Sequence, residues 1–166
     1  MSDGFRVEPL ANQDRSGFDC GIEALNRYLR EQAGQDMRRR VSNCFLALSA
    51  TDDIAGYYTF SAASLPLTGL PPDVTQRLPR YRDVPAGLIG RLAVDLGYRR
   101  RGIGAGLLAD AALKAMQAAP AIFLLCVDAK DENAFDFYKR HAFRPLATLP
   151  SRLFLTVATA EKAFRS

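Results

Sequence analysis

The chain has 166 residues and a formal net charge of +4. That length buries a core of its own without help from metals or disulfides, so residues 1–166 are read as one domain. No apolar run approaches the ~20 residues of a membrane span and no basic-then-apolar leader opens the chain, which points to a cytoplasmic protein that makes no membrane contact.

In chain order, Phe5 to Leu10 alternates as a short first strand. Asp19 then stands as a helix N-cap, with Ile22, Leu25, Leu29 and Ala33 at helical spacing and Arg38, Arg39 and Arg40 at the end. Cys44 to Ala50 and Ile54 to Ala62 read as a hairpin around Thr51-Asp52-Asp53. Ser64 to Pro85 holds five of the nine prolines together with Arg77, Arg80 and Arg82, and is expected to be a long functional loop. Gly87 to Asp95 is an apolar strand, and Gly102 to Met116 an amphipathic helix. Ala121 to Val127 is apolar throughout, as in a strand covered on both faces. Asp131 to Arg140 is a helix, and Arg152 to Ala158 closes as an edge strand.

The unit from Leu88 to Val127 is strand, helix, strand, and so parallel and right-handed. It implies an α/β fold with a ligand turn at the carboxyl end of a central strand. Cys20, Cys44 and Cys126 are odd in number and lie among apolar neighbours, which makes them buried thiols. With His141 the only histidine, no metal is expected. Arginine outnumbers lysine, which suits recognition of oxyanions by a planar fork.

The turn itself is Arg99-Arg100-Arg101-Gly102-Ile103-Gly104-Ala105-Gly106. Helix N-termini leave N–H groups unpaired and carry partial positive charge, and glycine lets a phosphate approach them. The nucleotide-kinase loop would need a Lys-Ser/Thr pair after the last glycine, and the dinucleotide fingerprint has a different spacing.

Arg99-Arg100-Arg101-Gly102-Ile103-Gly104 resembles the acetyl-CoA signature of the GNAT superfamily of N-acetyltransferases. The resemblance implies one mixed, twisted sheet with splayed central parallel strands, flanked by helices. It implies that acetyl-CoA is held by the turn, from Arg99 to Ala105, and by the backbone of Leu92, Ala93 and Val94. The side chains of Leu92 and Val94 are expected in the core. A second stretch, Ala134-Phe135-Asp136-Phe137-Tyr138-Lys139-Arg140-His141-Ala142-Phe143, is similar to the family's last motif. That similarity makes Tyr138 the acid that protonates the departing thiolate, and places Asn133 and Phe137 beside the cofactor.

Asp131 stands where the motif has Asn, so Asp131 and Asn133 compete for that contact. Ala142 stands where the motif has Gly, so a left-handed helix end there costs about 1 kcal/mol or more. His141 lies one turn beyond Tyr138 and is read as an ordinary helix-end residue.

A finer set, including Phe18-Asp19-Cys20-Gly21, Gly56-Tyr57-Tyr58, Gly90-Arg91 and Val127-Asp128-Ala129-Lys130-Asp131, resembles the acetyltransferase toxins of bacterial toxin–antitoxin pairs. It implies acetylation of the α-amino group of aminoacyl-tRNA, a block in translation, and a ribbon-helix-helix antitoxin as partner. An α-amino group, with a pKa near 7.7–8.0, is partly neutral at cellular pH and needs no strong base. Candidate tRNA contacts are Arg38, Arg39, Arg40, Arg77, Arg80 and Arg82. A plain RNA-binding domain is disfavoured because no stacking aromatic stands out in the basic stretches. A small-molecule amine or a protein N-terminus as acceptor, a non-catalytic CoA-binding module, and homodimerisation stay open.

Overall fold

The computed structural model describes residues 4–78 and 80–165. Seven strands, β1 (Arg6–Pro9), β2 (Asn43–Leu48), β3 (Ile54–Pro66), β4 (Asp83–Val94), β5 (Leu124–Asp128), β6 (Arg144–Pro145) and β7 (Arg152–Thr156), form one mixed sheet in the order β1-β2-β3-β4-β5-β7-β6, with a parallel pair, and helices flank it. Contacts divide the chain into two compact units. β3 (Ile54–Pro66) and β4 (Asp83–Val94) each run through both.

The first unit holds the residues up to Ser61 together with Ile89–Ala111. β1 (Arg6–Pro9) pairs antiparallel with β2 (Asn43–Leu48), and β2 with β3. A bulge between Ala47 and Leu48 shifts the second register. β2 is buried from Cys44 to Leu48 because its side chains are apolar on both faces. Tyr57 is fully buried, donates its hydroxyl to Leu25 O (2.7 Å), and meets Phe18 edge to face.

Gly56 is required by close approach. A Cβ there would lie 2.8 Å from Ala93 O and 3.0 Å from Ile103 Cγ2, so only glycine lets the end of β4 and the start of the next long helix close on β3.

The first helical segment is not one continuous α-helix. It runs as α1 (Glu23–Arg27), a π-helical turn (Tyr28–Gln32) and α2 (Ala33–Arg38). Leu29 and Ala33 are buried and Leu25 packs on the core as the stripe requires, joined by Asn26 and Tyr28, while Ile22, outside the helix at its N-cap, is 38% exposed. Asp19 is not the N-cap. Ile22 holds that position without a side-chain bond, and Asp19 Oδ1 instead accepts from Gly21 N and Asn26 Nδ2.

The second unit holds Ala62–Leu88 and the chain from Ala112 onward. The segment expected as one long loop is partly ordered. β3 continues to Pro66, a 3₁₀ turn covers Leu67–Gly69, α3 covers Pro72–Thr75, and β4 begins at Asp83. Proline at the head of α3 fits because its missing N–H is not needed there.

β5 (Leu124–Asp128) pairs antiparallel with β7 (Arg152–Thr156), which also pairs with the two-residue β6 (Arg144–Pro145). The last apolar segment is therefore an interior strand, and the short β6 takes the edge. After Thr156 the chain turns into α6 (Val157–Arg165), where Thr156 Oγ1 caps Thr159 N. The core of this unit packs Leu65, Leu70, Val74, Val84, Cys126 and Phe154. All three cysteines are free and buried.

Candidate active site

In the first unit, β4 ends at Val94 and Asp95 organises the turn that follows. Asp95 Oδ1 accepts from Gly97 N (2.8 Å), Oδ2 from Asp19 N (3.0 Å), and Asp95 N donates to Ala55 O (2.8 Å). A 3₁₀ turn, Leu96–Tyr98, leads into the arginines. Arg100 and Gly102 both have positive φ, +63° and +78°. Such alternation turns successive backbone N–H groups into a concavity for an anion.

α4 (Ile103–Met116) starts immediately after, and its first i→i−4 bond runs from Gly106 N to Gly102 O. The amides of Ile103, Gly104 and Ala105 precede that bond and have no helical acceptor. Ile103, Leu107 and Ala111 are fully buried and fix the helix in place.

The three arginines divide their roles. Arg99 Nη2 donates to Cys20 O (3.2 Å), and the Arg101 guanidinium lies 5.2 Å from the ring centroids of both Phe5 and Tyr98. Both brace the turn against the protein. Arg100 is exposed and has no partner among the described residues. Of the three residues at the end of β4, Ala93 is buried while Leu92 and Val94 are half-buried, so the core position expected for their side chains belongs to Ala93.

In the second unit, α5 (Glu132–Arg140) carries Tyr138. Asp131 Oδ1 accepts from Ala134 N (2.8 Å), so this carboxylate is the helix N-cap. Asn133 is exposed in the first turn and remains free for a ligand.

The far end is a Schellman motif. Phe143 N donates to Tyr138 O and Ala142 N to Lys139 O, while Ala142 adopts φ +73°. The accompanying apolar contact is the Tyr138–Phe143 ring pair, 5.6 Å between centroids. Phe137, half-buried, packs on the other side of Tyr138 (5.4 Å). His141 Nδ1 lies 2.8 Å from Phe137 O and its ring covers Phe137, which is the helix-end role expected of it.

Tyr138 is 5% exposed, and no hydrogen bond holds its hydroxyl among the described residues. Burial, with a smaller contribution from the Asp128 carboxylate, pushes its phenol up to about 12. Asp128 is itself fixed by a bidentate bond from Arg152 (2.7 and 2.9 Å). The phenol keeps its proton across the physiological range and is suited to an acid's role. A cavity of about 320 Å³ in this unit, lined by Val74, Phe123 and Phe154 with Arg77 and Lys162 at its rim, does not include Tyr138.

Arg38, Arg39 and Arg40 are exposed at the end of α2, and Arg77, Arg80 and Arg82 are exposed between α3 and β4. Sequence reasoning missed three contributors: Asp95 as the organiser of the turn, Gly56 as the spacer behind Ala93, and Phe143 as the clamp on Tyr138. A Cβ-free residue next to two tyrosines, and an aspartate two residues before a glycine, were the available signals.

The glycine turn and the buried phenol agree with the sequence comparison. The acetyltransferase (GNAT) family model matches residues 12–143. The chain belongs to this family. It is an N-acetyltransferase. It is 32% identical to a tRNA-acetylating toxin of Mycobacterium tuberculosis over 149 residues, covering 89% of this chain and 88% of the relative.

Among solved structures, AtaT complexed with acetyl-methionyl-tRNAfMet matches with a TM-score of 0.88 and 30% identity over 96% of this chain and 99% of that one. A tyrosine-to-phenylalanine mutant of the AtaT toxin, bound to the C-terminus of the antitoxin AtaR and to acetyl-CoA, matches with a TM-score of 0.83 and 28% identity over 99% and 100%.

Proposed function

We propose that this acetyltransferase moves an acetyl group from acetyl-CoA to the α-amino group of aminoacyl-tRNA, and so acts as a translation-blocking toxin neutralised by a ribbon-helix-helix antitoxin. The observation that carries the reading is likeness over nearly the whole chain to AtaT, solved with an acetylated aminoacyl-tRNA. The family match runs through both compact units, which supports residues 1–166 as one N-acetyltransferase domain. Among the described residues no helix is long and apolar enough to cross a membrane, in keeping with action in the cytoplasm.

The chain's residues fit acetyl-CoA. Gly102 is the test: at φ +78° a Cβ would meet nothing within 4 Å, so the space beside the turn is open to a phosphate. Arg99 to Ala105 hold the pyrophosphate in this reading, through the α4 amides and the free Arg100. In the first unit the backbone of Leu92, Ala93 and Val94 offers strand-like partners to pantetheine amides; in the second, Asn133 and Phe137 are the cofactor contacts in this reading. When bound, acetyl-CoA supplies an activated acetyl thioester.

The acceptor amine is nucleophilic only when neutral, and an α-amine reaches that form near cellular pH without a strong base. Tyr138 Oη holds its proton until a thiolate develops and then delivers it. The arginines at positions 38, 39, 40, 77, 80 and 82 contact tRNA phosphates. The AtaT mutant solved with acetyl-CoA has a tyrosine replaced by phenylalanine, which agrees with a catalytic tyrosine.

The decisive assay measures acetylation of charged tRNA by the purified chain at two salt concentrations. Counterion release makes log affinity fall with log salt at about −0.9 per phosphate contact on a duplex. An Arg77/Arg80/Arg82→Ala variant shows a flatter slope and a raised KM, and unchanged turnover of a minimal α-amine. No acetylation of charged tRNA by the wild type, alongside acetylation of a small amine, would transfer the case to a small-molecule acceptor.

A further inference from the structure

Tyr81 is 63% exposed, the highest value for a large apolar side chain among the described residues. Single exposed apolar residues are ordinary, but the surroundings of this one are not. Arg80 and Arg82 flank it in sequence and Arg77 lies four residues before, all three exposed. Among the described residues no hydrogen bond engages these guanidinium groups and none of them covers the Tyr81 ring; Arg77 lies within Coulombic reach of Asp73, and Arg80 and Arg82 have no such partner. The ring face and the charges of Arg80 and Arg82 are both available.

The segment is held at both ends. Leu78 N donates to Thr75 O (2.8 Å) and Tyr81 N to Leu78 O (3.3 Å). On the far side Leu67 N donates to Arg82 O (3.0 Å), and β4 begins at Asp83. Val74 and Val84 anchor the two flanks in the core. An exposed aromatic ring thus stands between two arginines in sequence, with backbone hydrogen bonds from Tyr81 N and to Arg82 O.

That combination suits an unpaired nucleotide strand. Every base has a face to stack on an aromatic ring, while arginines take the neighbouring phosphates. A duplex arm keeps its base faces stacked on one another and has none to offer.

We infer that Tyr81 is a stacking platform for an unpaired base at the 3′ end of the aminoacyl-tRNA, with Arg80 and Arg82 on the adjoining phosphates. This rests on the aminoacyl-tRNA reading above. It names a residue that recognises the single-stranded end, where the arginines alone would hold any polyanion.

Stacking and phosphate contact separate by salt and by substitution. Tyr81→Ala lowers kcat/KM for charged tRNA by about 5- to 150-fold, the range of one base–aromatic stack. Its salt slope equals that of the wild type, because no phosphate contact is lost. Tyr81→Phe and Tyr81→Trp stay within about threefold of wild type. Arg80→Ala instead flattens the slope by about 0.7, as for one phosphate on a single strand. A minimal α-amine acceptor reacts equally with wild type and the Tyr81 variants, and their thermal midpoints match.

The inference is overturned if Tyr81→Ala acetylates charged tRNA as fast as wild type. It is also overturned if Tyr81→Phe falls as far as Tyr81→Ala, which would assign the hydroxyl rather than the ring, or if only binding of a protein partner is lost. In those outcomes wild-type acetylation of charged tRNA persists and the function stands. Wild type inactive on charged tRNA but active on a small amine removes both.

Discussion

Tyr138→Phe tests the acid directly, because it deletes one oxygen and keeps the ring. The packing against Phe137 and Phe143, at 5.4 and 5.6 Å, survives. No hydrogen bond to the hydroxyl is lost among the described residues, so stability at neutral pH stays within about 1 kcal/mol of wild type. Turnover falls by roughly 10²- to 10⁴-fold, the scale of general acid catalysis. The KM for acetyl-CoA moves little, since ground-state binding relies on other groups. Release of free CoA thiol, read with a chromogenic disulfide against a minimal α-amine, is a clean assay because all three cysteines are buried.

The pH dependence follows from the raised phenol. With the proton held to about 12, Tyr138 stays in its acid form from pH 6 to 10, so it contributes no falling limb there. The rate rises instead with the neutral fraction of the acceptor amine. Stability carries a second signature. Below about pH 10 the phenol is neutral folded and unfolded alike; above that the unfolded chain ionises first, and stability falls until the folded phenol titrates near 12. The fall is on the order of 1.4 kcal/mol per pH unit for this group. Burial also raises Tyr28, Tyr57 and Tyr58, so the measurement is the difference between wild type and Tyr138→Phe. Turnover of the variant within threefold of wild type would refute the acid role, as would a falling limb between pH 7 and 9 that the variant lacks.

The features legible in the sequence were those set by residues close together in it. The phosphate turn depends on three arginines and three glycines in eight positions, and its positive φ values fall within the expected motif. The α5 helix shows its left-handed end locally, at Ala142, whereas Asp131, read as a candidate cofactor contact, is the helix cap. What could not be read depends on distant partners. Asp19 looks like a cap until Asp95, seventy-six residues on, accepts its N–H. Arg99 and Arg101 look like phosphate ligands until Cys20 O, Phe5 and Tyr98 come within reach. β7 looks like an edge because its neighbour β6 is two residues long, too short for any periodicity. The π turn after Arg27 leaves no mark in the sequence, because Leu25, Leu29 and Ala33 still face the core. Tyr81 was passed over because exposure is a property of the folded chain.

Two substitutions separate binding from folding. Gly104→Glu places a carboxylate in the first turn of α4, where the helix dipole favours it by about 0.3–1 kcal/mol. The variant is therefore folded and at least as stable as wild type, yet calorimetry shows at least a tenfold loss of acetyl-CoA affinity; unchanged affinity would remove the turn from the cofactor site. Ala142→Gly acts on the helix end beside Tyr138 instead. An L-residue at φ +73° costs about 1–2 kcal/mol, which glycine avoids. Glycine's extra freedom in the unfolded chain returns about 0.5–1 kcal/mol of that gain. The net stabilisation is about 0.5–1 kcal/mol, or about 1–4 °C in Tm for a chain of this size. Ala142→Val has the opposite sign, because a β-branched side chain is worse than alanine in the left-handed region. Turnover stays unchanged in Ala142→Gly, since the bond from Phe143 N to Tyr138 O and the ring contact between them do not involve the side chain at 142. A lower Tm for Ala142→Gly would show that the helix does not end in the left-handed conformation, and with it would go the clamp that fixes Tyr138.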